Sequence, residues 1–173
     1  MTEREHKVAA VLDAANGELI GRVRLQKVVY LLDQLGFDSR FEYSYYHYGP
    51  YSRDLENATL DATVFAGVRE VIERRAGDGA AYSVFLRESK EPVLDDNFGR
   101  LGRERAAELV GKFKEIGPTI LELAATAHWI AVYECRTDWE AEVRKRKNVK
   151  SQSGRLEKAL DLLRELGLPP AVA

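Results

Sequence analysis

Hydrophobic positions along the chain follow a helical rhythm, broken once by an aromatic run and once by a short alternating hairpin. Over residues 3–15 the apolar set is Val8, Val11, Leu12 and Ala15. Asn16-Gly17 then ends this first helix, because both residues tolerate the left-handed backbone of a helix terminus. From about Gly21 to Leu35, Leu25, Val28, Val29, Leu32 and Leu35 recur at the i, i+3, i+4, i+7 spacing that buries one helix face, and Gly36 closes the element. Phe41 to Tyr48 reads as a strand, since aromatic residues favour a pleated, half-buried surface. Gly49-Pro50 is expected to break it and to shape the turn that follows. Ser52 suits the N-cap of a third helix through Leu55, Ala58, Thr59, Ala62 and Phe65. Val71–Arg75 and Tyr82–Leu86 then flank Gly77-Asp78-Gly79, a hairpin signature.

Beyond residue 88 the rhythm is purely helical. Residues 89–97, SKEPVLDDN, are polar and read as a connector. Leu101, Ala106, Leu109, Val110 and Phe113 mark one helix, and Gly117-Pro118 punctuates a corner between it and the next. The next stripe is Ile120, Leu123, Ala124, Ala127, Ile130 and Ala131; a last helix, about Ser153 to Leu166, ends at Gly167. The expected fold is therefore α+β and mainly α. Residues 1–88 form a winged-helix-like part of three helices, an aromatic strand and a β-hairpin wing. Residues 89–97 connect it to a helical bundle, residues 98–173, packed on it as one domain.

Composition narrows the chemistry. With 173 residues the chain can bury a core without staples, and 45% hydrophobic with 31% charged residues is ordinary for a globular protein. The formal charge of −2 supplies no global pull toward nucleic acid. A single cysteine, Cys135, excludes a disulfide framework and a cysteine-based zinc site. No apolar run reaches a membrane span and the first residues carry no apolar leader, so a cytoplasmic location without membrane partners is the expectation. His6, His47 and His128 are isolated from one another and from carboxylates at ligand spacing, so neither a metal nor a cofactor is expected. No nucleophile elbow, phosphate loop or dinucleotide fingerprint occurs. An enzymatic reading would need a pocket in which Lys27, Tyr30, His47 and a carboxylate converge.

Two surfaces remain as candidates. A winged-helix DNA-binding regulator would use Arg74 and Arg75 on the wing together with the basic run Arg144, Lys145, Arg146 and Lys147. Against it, residues 1–88 hold 11 Lys+Arg and 14 Asp+Glu, a net of −3, and the third helix offers Asp54, Glu56 and Asp61 against a single Arg53. The other surface is the aromatic run. Six of the twelve residues from 41 to 52 are Phe or Tyr and a seventh is His47. These rings are either core packing or an exposed patch for a protein partner, where tyrosine is enriched; Tyr43 and Tyr45 facing inward with Tyr46 and Tyr48 facing out satisfies both. The partner-binding set is Tyr46, Tyr48, Tyr51 and Arg53, with Gly49 and Pro50 shaping the turn.

Arg24-Leu25-Gln26-Lys27-Val28-Val29-Tyr30-Leu31-Leu32 and Tyr48-Gly49-Pro50-Tyr51-Ser52 resemble the paired signature of the YwgA-like family of small prokaryotic proteins. More distantly they are similar to the Panacea antitoxin domain of SocA- and GepA-type antitoxins. The likeness extends to the wing hairpin, to Leu121–Thr126 and to the closing leucine-rich helix. It departs from the Panacea pattern at Tyr51-Ser52, where that domain has a valine after Gly-Pro. The resemblance implies a non-enzymatic interaction module, antitoxin-like or phage- and defence-associated, whose partner is a protein such as a toxin. It carries over no catalytic residue.

Overall fold

The computed structural model describes residues 3–93 and 96–171. The chain runs α1 (Glu3–Ala14), β1 (Glu18–Ile20), α2 (Arg22–Gln34), β2 (Ser44–Tyr46), β3 (Gly49–Tyr51) and α3 (Arg53–Phe65). It continues β4 (Val68–Arg74), β5 (Ala81–Arg87), α4 (Arg103–Glu115), α5 (Pro118–Val132), α6 (Trp139–Lys147), a 3-10 turn at Asn148–Ser151 and α7 (Arg155–Leu166). The fold is α+β and mainly helical.

The helix punctuation lies where residue chemistry places it. Asn16 (φ 57°) and Gly17 (φ 89°) take the left-handed turn that ends α1. Ser52 is extended, and its hydroxyl accepts the Leu55 amide at 3.2 Å to cap α3. Pro118 occupies the first turn of α5, where its missing N–H leaves no unpaired donor.

Three departures from the sequence reading have physical causes. The aromatic strand is shorter than residues 41–48, because Asp33 captures the segment before it. Its carboxylate accepts from the Ser39 amide at 2.8 Å, the Ser39 hydroxyl at 2.6 Å and the Tyr43 hydroxyl at 2.7 Å, holding residues 39–43 irregular. Gly49-Pro50 does not end the pairing. It continues as β3, antiparallel to β2 with Tyr45 opposite Pro50 and Tyr46 opposite Gly49, in a hairpin turned at His47-Tyr48. A third strand, β1, joins the β4–β5 hairpin: Glu18–Ile20 pairs with Val84–Leu86, giving the sheet order β1-β5-β4.

The core is continuous across both halves. Val8, Leu12, Leu32, Phe37 and Leu55 from the first half join Phe113, Leu123, Ile130, Leu156 and Leu163 from the second. The alanine-rich α5 (Ala124, Ala125 and Ala127, all fully buried) packs against α2, α6, α7 and the hairpin strand β3. Small side chains let these elements approach closely, and that seats the hairpin.

Candidate functional site

The β2–β3 hairpin rests on polar residues of α2. Gln26 and Lys27 interrupt an otherwise apolar buried stretch, at 8% and 1% exposure. The Gln26 side chain accepts the Ser52 amide at 2.8 Å and donates to the Ser52 carbonyl at 2.9 Å. Lys27 Nζ donates to the Pro50 carbonyl at 2.5 Å. The two sequence motifs singled out above are therefore one structural unit: helix positions 26 and 27 grip hairpin positions 50 and 52. Gly49 completes the seat. It has φ 89°, and a Cβ there would sit 2.5 Å from Thr126 Oγ1 on α5.

The opposite side of the hairpin is gripped by the C-terminal helices. Lys147 Nζ donates to the His47 carbonyl at 3.2 Å and to Glu122 at 2.9 Å, and Lys150 reaches Glu122 at 3.0 Å. The Arg146 guanidinium lies 4.6 Å from the centroid of the Tyr45 ring, and the Lys150 ammonium 4.9 Å from that of Tyr48. Burial pushes the Lys27 ammonium down to about 7; Lys147 and Lys150 add to that shift while Glu122 opposes it.

This cradle divides the aromatic residues. Tyr43 and Tyr45 are half-buried, whereas Tyr46 and Tyr48 are 57% and 51% exposed. Tyr46 packs on the Tyr51 ring with centroids 5.6 Å apart, and the Tyr51 hydroxyl donates to Glu56 on α3. Burial, then the Glu56 carboxylate holding its proton, pushes the Tyr51 hydroxyl up to about 12. Tyr46, Tyr48, Tyr51 and Arg53 come together as walls of one cleft of about 430 Å³, which also takes in Arg22, Lys27, Glu56, Leu60 and Glu70. Leu60 and Val64, one turn apart on α3, are 52% and 71% exposed and extend the apolar character beyond the cleft.

The cationic candidates lie on separate elements. Arg74 and Arg75 are at the exposed end of the β4–β5 hairpin, where Arg75 pairs with Asp78 and Arg74 donates to the Gly79 carbonyl. On α6, Arg144 pairs with Glu140 and Glu157, and Arg146 with Glu134 and Glu142. Lys147 is buried against Glu122, so the basic run is not one solvated strip; Lys145 is exposed. Nor do the residues of the enzymatic reading converge. Tyr30 turns away to share a hydrogen bond with His128 Nδ1 at 2.7 Å, and the His47 ring packs on Tyr46. Among the described residues no group of His, Cys, Asp and Glu has the arrangement of a metal site, and no helix is long and apolar enough to cross a membrane.

Sequence reasoning missed Gln26, Lys27, Glu122, Thr126 and Lys150 as supports of the hairpin. A legible signal existed for three of them. Gln26, Lys27 and Glu122 are polar residues set within apolar helical stretches, where burial demands a partner.

No family model matches the chain. It is 30% identical over 133 residues to a protein named DNA ADP-ribosyl glycohydrolase from Thermus aquaticus, covering 74% of the chain and 35% of that protein. It is 31% identical over 92 residues to the uncharacterized protein YwgA of Bacillus subtilis, covering 53% of the chain and 55% of YwgA. The chain thus spans about a third of the first relative's length and just over half of the second's. The second likeness supports a YwgA-like relationship.

Proposed function

We propose that this chain is a non-enzymatic protein-interaction module, antitoxin-like or defence-associated, that presents its aromatic hairpin to a protein partner. The observation that carries this reading is the exposure of Tyr46 and Tyr48 on a hairpin that buried polar contacts hold from both sides. Rigid, exposed tyrosine beside apolar helix positions is the composition of an interface hot spot, since its two side-chain torsions lose little freedom on binding. The scaffold that goes with it is winged-helix-like: α1, β1, α2 and α3 followed by the β4–β5 wing, with β2–β3 inserted between α2 and α3.

The non-enzymatic part rests on the occupation of the cleft's ionisable groups. Glu70 is engaged by Arg22 and Ser83, Glu56 by Tyr51, and Lys27 by the Pro50 carbonyl. Among the described residues lining the cleft, both carboxylates and the lysine are thus engaged within the protein. The glycohydrolase relative fits this reading as a longer protein in which the matching stretch is one region; we assign partner binding, not hydrolysis, to that stretch here. A DNA-binding regulator is the weaker reading, because Arg144, Arg146 and Lys147 already satisfy carboxylates of the same protein.

The test is affinity capture from cells, read by quantitative mass spectrometry, comparing the native chain with Tyr46→Ala/Tyr48→Ala. A specific protein should be enriched by the native chain and lost at least about tenfold by the variant. Equal recovery of every captured protein by both would contradict the proposal. So would retention of duplex DNA alone, with a steep salt dependence.

A further inference from the structure

The cleft between the hairpin, α2 and α3 has properties that a flat protein-docking face does not need. Its volume, about 430 Å³, lies within the range of roughly 300–1,000 Å³ typical of small-molecule sites. One wall is aromatic, formed by Tyr46 and Tyr51 inclined at 34° to each other. Tyr46 is 57% exposed, so a planar ligand has a ring on which to stack. Charges of both signs accompany that wall: Arg53 is exposed, and Glu56 stands one helical turn along α3.

Lys27 lines the cleft, and burial leaves its amine only partly charged near neutral pH. Its ammonium form has three donors, and among the described residues its hydrogen bond goes to the neutral Pro50 carbonyl. Glu122, the nearest source of opposite charge, makes its direct ion pairs with Lys147 and Lys150. Glu122 is thus the direct partner of two lysines, and Lys27 makes no ion pair of its own among the described residues. An anion entering the cleft would supply that counter-charge; a purely apolar side chain would not, and it would strip water from Arg53 and Glu56 without replacing it.

We propose that this cleft is a binding site for a purine nucleotide. The base stacks on the Tyr46–Tyr51 wall, its N–H edge faces Glu56, and the phosphate lies toward Arg53 in the positive field of Lys27. The inference does not rest on the partner-binding reading, since it concerns the purified protein and a small ligand alone.

An NMR titration of the full chain tests it, following the aromatic resonances of Tyr46 and Tyr51 with adenosine monophosphate, adenosine and inorganic phosphate as probes. Adenosine monophosphate should shift both rings saturably, with Kd below about 1 mM. Adenosine should bind several-fold more weakly, and phosphate alone should leave the rings unmoved. Tyr46→Ala should weaken the nucleotide by about tenfold, within the range expected for one base–aromatic stack. Arg53→Ala, at an exposed position, should remove the preference for the nucleotide over adenosine. Tyr133→Ala, an exposed tyrosine outside the cleft, should change nothing. The proposal is overturned if no saturable shift appears up to about 10 mM, if Tyr46→Ala binds as tightly as the native chain, or if the two adenosine compounds bind equally. A failed titration leaves capture of a protein through Tyr46 and Tyr48 unaffected, so the two readings fail separately.

Discussion

Tyr30 and His128 meet between α2 and α5 with exposures of 0% and 2%, joined by the hydrogen bond at 2.7 Å. The pair is structural: burial pushes the imidazole down to about 4, so it is neutral throughout the ordinary range. Unfolded histidine titrates near 6.5, so between about 6.5 and 4 the unfolded chain takes up a proton that the folded chain refuses. Stability from this residue is complete above about pH 6.5 and is lost as the pH falls toward 4, by up to about 3 kcal/mol. Urea unfolding at a series of pH values should show that loss in the native chain and a shallower one in His128→Gln. Tyr30→Phe, which leaves a buried nitrogen without its partner, should cost about 1–3 kcal/mol at pH 7. A flat pH profile would mean that the imidazole is hydrated in the folded state.

At the scale of elements, the hairpin depends on Gly49 for two separate reasons. Its backbone is at φ 89°, and its missing Cβ leaves room for Thr126 Oγ1. Gly49→Ala should therefore destabilise by about 2–4 kcal/mol, combining left-handed strain with overpacking. Thr126→Ala removes a buried hydroxyl that lacks a hydrogen-bond partner among the described residues, and should itself cost under about 1 kcal/mol. The double variant should regain the overpacking part but not the strain, and thermal unfolding of the three proteins reads the difference. The main helices and the β4–β5 hairpin are legible because their patterns are long: α2 carries its apolar positions from Leu25 to Leu32, and α3 opens on Ser52. Three-residue strands give no comparable signal, so β1 at Glu18–Ile20 has no sequence mark and the proline of β3 has the pattern of a strand break. Proline is tolerated in such a short outer strand. Helix α6 was hidden by its charge: of its nine residues only Trp139, Ala141 and Val143 are apolar, and two of its buried positions are Glu142 and Lys147. The candidate aromatic residues were readable as types, but which rings face out was not, since that depends on Arg146 covering Tyr45 from a helix about a hundred residues away.

Across the whole molecule, Glu122 ties the two halves together. At 3% exposure it receives Lys147 and Lys150, and Lys147 in turn holds the hairpin through the His47 carbonyl. Removing the carboxylate leaves the buried Lys147 ammonium without compensation. Glu122→Gln should cost about 3–5 kcal/mol, and Glu122→Gln/Lys147→Met should recover part of it. If instead the single change is neutral, the lysines reach water and the hairpin is not held from that side. With both grips in place, the exposed tyrosines form a preorganised surface, so little ordering has to accompany binding. Hydrogen–deuterium exchange of the chain alone and in complex with its captured partner tests that claim most directly. Residues 44–53 and 60–65 should be strongly protected in the complex, while α7, none of whose residues lines the cleft, should exchange as it does in the free chain. Protection confined to the wing and α6, with the hairpin unchanged, would contradict it.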